Sequence, residues 1–172
     1  LPQLTKLTTN IHQTKSIIIA QLFHGGIRSP QKITGTIPIS CSEIDCNESE
    51  TGKSKEATEK DIKKIINDFT CSAIRCCEAG FDGIELHGAH GYLISQFLGK
   101  KTNLRKDRWG GNLKNRSRLL NEIISSIKNN VPESFIIGIR ISPEIESMGI
   151  ELNDSINLIG QLKNLSIDFI HL

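Results

Sequence analysis

A chain of 172 residues, 37% apolar and 23% charged, is long enough for one domain with a buried core and has the composition of a globular protein. Its net charge of +2 gives no electrostatic case for nucleic acid or an anionic membrane as partner. The longest apolar run, Ile17 to Phe23 broken by Gln21, falls far short of the roughly 20 residues a bilayer span needs, and the first residues lack the basic-then-apolar order of a secretory leader.

Leu1, Leu4, Leu7 and Ile11 recur at helical spacing, so the chain is expected to enter in a helix. Ser16 to Leu22 (SIIIAQL) is a short, nearly continuous apolar run rich in β-branched residues and reads as a buried parallel strand. A glycine loop, His24-Gly25-Gly26, follows. Residues Ser29 to Lys55 hold two prolines, several serines and mixed charge, the composition of a long loop; such loops are usually functional or disordered. Thr58 is a plausible N-cap with Asp61 as the capping-box acid, and Ile62, Ile65, Ile66, Phe69, Ala73 and Cys76 form one apolar face of the helix they open. Gly80 is placed to end it.

The five cysteines, Cys41, Cys46, Cys71, Cys76 and Cys77, have no regular spacing and no C-x-x-C pair. They argue against a disulfide framework or a zinc or iron–sulfur centre, and they fit a reducing cytoplasm. The three between Cys71 and Cys77 read as small core or surface residues.

Gly83 to Leu86 (GIEL) gives a second strand. Leu119, Leu120, Ile123, Ile124 and Ile127 mark another amphipathic helix that ends before Pro132. Phe135 to Ile141 (FIIGIRI) gives a third strand, a helix runs from about Asn153 to Lys163, and Ile167 to Leu172 gives a fourth strand. The order α-β-α-β-α-β-α-β predicts an α/β fold with a parallel sheet. Periodicity does not choose between a closed barrel and an open doubly wound sheet. No G-x-G-x-x-G follows any strand, which counts against a dinucleotide-binding open sheet.

Three strands end in polar side chains: Gln21, His87 and Arg140. In parallel α/β folds these ends form the functional face, and a polar group at the tip of a buried strand needs a partner. His87-Gly88-Ala89-His90-Gly91-Tyr92 is the densest cluster. If the chain makes one helical turn after the strand, the two imidazoles point the same way. Two ring N–H groups aimed at one point suit a carbonyl oxygen on which charge develops, and the Tyr92 phenol suits a general acid. A metal site is the competing reading, but no carboxylate or Cys stands at ligand spacing, so no metal is expected. The alternative to both is a pair of solvated or core histidines. The Arg-rich stretch from Asn103 to Arg118 either grips a phosphate or braces the loop against backbone and carboxylates.

The run from Ala79 through Ile94 (AGFDGIELHGAHGYLI), with Gln96-Phe97-Leu98, Asn103, Arg105, Asp107, Trp109-Gly110-Gly111 and Asn115-Arg116, resembles the Old Yellow Enzyme family. Gln21-Leu22-Phe23-His24-Gly25-Gly26 resembles the family's Gln-containing strand end, and Ile139-Arg140-Ile141-Ser142-Pro143 its later Arg-containing one. The resemblance covers nearly all of the chain, with one departure: Gly99-Lys100 stands where the family usually has Ser-Pro.

What it implies is a (β/α)8 TIM barrel, present here as a single partial-barrel domain over residues 1–172 holding about strands 3 to 6. It further implies FMN as cofactor and NAD(P)H as reductant, with Gln21 and Arg140 as cofactor-binding residues. His87 and His90 would hold the oxygen of a small-molecule substrate, Tyr92 would protonate its α-carbon, and a homo-oligomer is possible. The implied reaction is reduction of the activated C=C bond of an α,β-unsaturated carbonyl. A full barrel takes about 250 residues and commonly binds phosphate after its seventh and eighth strands. The alternative is therefore a truncated, non-catalytic fragment of such an enzyme.

Overall fold

A computed structural model describes residues 1–172. The first half runs α1 (Pro2–His12), β1 (Ile19–Leu22), α2 (Gln31–Thr34), β2 (Ile39–Ser40), β3 (Lys55–Glu56), α3 (Glu59–Glu78) and β4 (Gly83–Gly88). The second half runs α4 (Leu93–Leu98), α5 (Leu113–Arg116), α6 (Arg118–Lys128), β5 (Ile136–Ile141), α7 (Leu152–Leu162) and β6 (Phe169–His171). No helix is long and apolar enough to cross a membrane.

β1, β4, β5 and β6 form one wholly parallel sheet, and their order in space is their order in the chain. An open doubly wound sheet reverses its order at a switch point so that helices cover both faces. Here there is no reversal, as in a stretch of (β/α) barrel wall. Side chains alternate across a strand. Ile84 and Leu86 of β4, with Ile137, Ile139 and Ile141 of β5, are buried in the apolar core shared with α3 and α6. Their alternates, Glu85, His87 and Arg140, therefore line the opposite, inner face.

The predicted cap of α3 is present. Thr58 Oγ1 accepts from the Asp61 N–H (3.2 Å), and Asp61 Oδ2 accepts from the Thr58 N–H (3.0 Å). The bonds from Thr58, helped by Lys55, hold the Asp61 carboxyl below its usual range. Thr58→Ala should cost about 1 kcal/mol, read as a lower midpoint in urea with an unchanged slope. Downstream, Ile62, Ile65, Phe69, Ala73 and Cys76 are buried as the pattern predicts, as is the full apolar face of α6.

β1 begins at Ile19 and β5 at Ile136, later than their apolar runs suggest, and two aspartates bond backbone at this end of the sheet. The Ile18 N–H donates to Asp82 Oδ2 (2.7 Å) and the Ile137 N–H to Asp168 Oδ2 (2.7 Å). Each aspartate thus meets the neighbouring strand's backbone with its side chain, just before its own strand, β4 or β6, joins the ladder. α1 is helical as predicted, yet Leu1, Leu4 and Leu7 are exposed. The helix is tied down instead by Thr8 Oγ1, which donates to the Ala79 carbonyl (2.6 Å), and by His12, which pairs with Asp82 (2.9 Å).

The expected loop from residue 29 to 55 is ordered and carries α2, β2 and β3. It is anchored from the far side: Ser40 Oγ bonds Gln96 Oε1 (2.9 Å), and Arg105 Nη1 donates to the carbonyls of Cys41 (2.9 Å) and Ala57 (2.7 Å). Of its cysteines, Cys41 is fully buried and burial pushes its thiol up to about 11.

Candidate active site

In the ladder His87 is level with Arg140, and Arg140 with His171. Gln21 is level with Glu85, one pleat lower. All five stand on the inner face at the C-terminal end of the sheet. The structure thus brings Gln21, His87 and Arg140 to one rim, and the loop after β4 adds His90 and Tyr92. The His87 and His90 ring centroids are 5.1 Å apart, edge to face, and Tyr92 packs its ring 4.7 Å from His87.

The turn that achieves this is not the helical one the spacing suggested. His90 (φ 56°) and Gly91 (φ 75°) are both left-handed, which folds the His90 ring back over His87. A left-handed non-glycine residue is uncommon; here the His90 N–H is held by Ser142 Oγ (3.1 Å) from the loop after β5.

The protonation state of His87 follows from its surroundings. Its Nδ1 accepts from the Ala89 N–H (3.3 Å), so in the neutral ring the proton is on Nε2. Burial, reinforced by His90 and Arg140, lowers its pKa. His87 is a neutral donor with its Nε2–H unused by the chain. The Tyr92 hydroxyl likewise bonds to nothing in the protein; its ring is held by His87, by Phe23 (5.3 Å) and by the Arg28 guanidinium (5.8 Å).

Arg140 is the sharpest signal on the rim. Its Nε is buried without a hydrogen-bond partner, and its guanidinium forms no ion pair. A buried donor left unmade costs on the order of 1–3 kcal/mol, so this position fits an external acceptor, such as the electron-rich edge of a flavin ring. Gln21 is placed differently from a freely aimed amide. Its Nε2 donates to Glu85 Oε2, which leaves its carbonyl oxygen to accept an N–H. The other Glu85 oxygen bonds His171 Nδ1 (3.0 Å), and Glu85 itself is buried between them. The sequence reading missed His171, although the rule that found Gln21, His87 and Arg140, a polar residue at a strand end, applies to it equally.

The Arg-rich stretch braces. Arg105 pairs with Asp107 (2.6 Å), Asn103 Nδ2 donates to the carbonyls of Phe97 and Trp109 (2.8 Å each), and Arg116 reaches the Leu98 and Gly111 carbonyls and Asp154. Gly99, where the family motif has Ser, is explained by close approach: a Cβ there would lie 2.5 Å from the Met148 carbonyl. Its absence lets the loop after β5 lie against the end of α4.

His24, just past the end of β1, is held neutral by burial, with Nδ1 accepting from the Gly26 N–H (3.1 Å). Its folded pKa is below the unfolded value of 6.5. The unfolded chain therefore takes up the proton first as pH falls, and stability present above pH 6.5 is lost towards the folded value. His24→Asn keeps an acceptor for Gly26 without the titration. It should flatten the fall in melting temperature between about pH 7 and pH 5, measured by circular dichroism.

The family model for the NADH:flavin oxidoreductase / NADH oxidase family matches residues 1–172. The chain belongs to that family. It is 39% identical, over 99% of its length and 39% of the relative's, to the NADH-dependent flavin oxidoreductase nadA of Aspergillus parasiticus. It is 33% identical, over 100% of its length and 47% of the relative's, to the probable NADH-dependent flavin oxidoreductase YqiG of Bacillus subtilis. The structure superposes on an Old Yellow Enzyme homologue from Zymomonas mobilis with a TM-score of 0.86 and 27% identity, covering 97% of this chain and 50% of that one. This member of the NADH:flavin oxidoreductase family thus spans half or less of the length of these relatives, and its parallel α/β sheet corresponds to part of their barrel.

Proposed function

We propose that this chain carries the ring-binding and proton-transfer groups of an FMN-dependent ene-reductase acting on an α,β-unsaturated carbonyl or related compound. The observation that carries the proposal is the buried, unpartnered Arg140 Nε on the same rim as the His87 Nε2–H, the His90 ring and the Tyr92 hydroxyl, none of which bonds to another group of the chain. Arg140 and the Gln21 carbonyl would hold the polar edge of the flavin. When bound, FMN supplies the hydride chemistry, accepting hydride from NAD(P)H and delivering it to the β-carbon of the alkene.

His87, kept neutral with its proton on Nε2, and His90 donate to the substrate oxygen, where negative charge grows in the transition state. Tyr92 delivers its phenolic proton to the α-carbon, which completes addition of H⁻ and H⁺ across the double bond. The sheet supplies rigid placement, since three of the five groups are strand residues fixed in register. The test is direct: protein supplied with FMN, NAD(P)H and 2-cyclohexenone should oxidise NAD(P)H in step with formation of cyclohexanone. A yellow protein that reduces no enone, dienoyl thioester or nitro compound contradicts the proposal.

A further inference from the structure

Beside the rim lies an open groove of about 860 Å³ that shares His90 and Gly91 with it. Five charged side chains line it: Arg28, Lys53, Lys101, Glu43 and Asp45. Two of the cations are already engaged. Lys53 pairs with Asp45 at 2.6 Å, and Lys101 Nζ donates to the Glu146 carbonyl at 2.9 Å. Arg28 has no ion pair and no side-chain hydrogen bond; its guanidinium lies over the Tyr92 ring, 5.8 Å from the centroid. Gly91, with φ of 75°, passes beside it; a Cβ there would meet Arg28 Nη2 at 3.4 Å, an ordinary contact.

We propose that Arg28 is an anion anchor that selects unsaturated carbonyl compounds bearing a carboxylate separate from the carbonyl that His87 and His90 hold. The inference rests on the ene-reductase reading of the rim and adds the substrate class. A guanidinium stacked on an aromatic ring keeps its in-plane N–H groups free, and two of them match the two oxygens of a carboxylate. Ile27, Ile145 and Met148 give the groove an apolar wall suited to a short carbon chain. The charge balance favours a monoanion: Arg28 is the single unengaged cation, and Glu43, which also has no partner, repels a phosphate dianion. Arg28 stands next to Tyr92, so an acid held there has its alkene beside the proton donor.

The test needs neither flavin nor turnover. In ¹⁵N-edited NMR titrations of the protein, crotonate should shift the Gly91 amide and the Arg28 side-chain N–H. Arg28→Gln should weaken crotonate binding by about tenfold or more, while crotonamide, the neutral isostere, loses little. Arg28 is exposed, so this exchange leaves the core intact. Equal affinity of wild type for the acid and the amide, no shift at Gly91 or Arg28, or an unchanged crotonate affinity in Arg28→Gln overturns the proposal. So does a loss confined to adenosine 2′,5′-bisphosphate, which would assign Arg28 to the phosphate of a nicotinamide cofactor. A protein that binds crotonate through Arg28 yet reduces no alkene would defeat the ene-reductase reading and leave the anchor standing.

Discussion

Tyr92→Phe should slow alkene reduction roughly 100- to 10,000-fold, the range for loss of a positioned general acid, while reduction of the flavin by NAD(P)H changes less than about twofold. The geometry separates the two half-reactions. The ring of Tyr92 is fixed by Phe23, His87 and Arg28, contacts that a phenylalanine retains. Its hydroxyl makes no bond to the chain, so stability should change by no more than about 0.5 kcal/mol. In the proposed function what is lost is the proton for the α-carbon, which the reductive half-reaction does not use. Stopped-flow absorbance of the flavin resolves both halves, and equal slowing of the two would remove Tyr92 from the role of donor.

His87→Leu should lower the rate of alkene reduction roughly 100- to 1,000-fold, about 3 kcal/mol of barrier, as removal of one oxyanion donor does. His87→Asn, which restores a neutral N–H, should recover part of it. The neutral state is the reason for this contrast. With its pKa held below 6.5 by burial, helped by the neighbours His90 and Arg140, His87 has no charge to lose near neutrality, so a neutral amide is a fair substitute. ¹⁵N shifts of the His87 ring at about pH 7 should be those of the Nε2–H tautomer. A protonated imidazole at that pH, or an asparagine variant no better than leucine, would contradict this assignment.

Much of this arrangement is legible in the residues. Helices α3 and α6 announce themselves because each has a polar face against which its apolar stripe stands out, and α3 also carries its cap in Thr58 and Asp61. The strands are short β-branched runs, and Gln21, His87 and Arg140 stand out as polar ends of otherwise apolar segments. Other elements leave no such trace. All six residues of α4 are buried, so it has no polar face and no period. β2 and β3 are two residues long and exist because Gln96 and Arg105, more than 40 positions away, fix the loop around them.

The fold of His90 over His87 depends on a left-handed backbone that histidine rarely adopts, so a helical turn was the natural reading. Arg28 belongs to none of the sequence motifs; only the groove and its seat over the Tyr92 ring give it meaning. The choice between barrel wall and open sheet lies in strand order, to which periodicity is blind. The motif resemblance to the Old Yellow Enzyme family implies the barrel, and the unreversed order of β1, β4, β5 and β6 agrees with it.

In the proposed function, Arg140 at the end of β5, with its buried unpartnered Nε, is the group that would tie this rim to a flavin whose reduced form carries extra charge. A spectroelectrochemical titration of protein-bound FMN, for wild type against Arg140→Leu, measures that tie. The midpoint potential should drop by about 30 mV or more in the variant, equivalent to tenfold or greater selective weakening for the two-electron reduced state. Identical potentials in the two proteins would mean that Arg140 faces something other than the flavin.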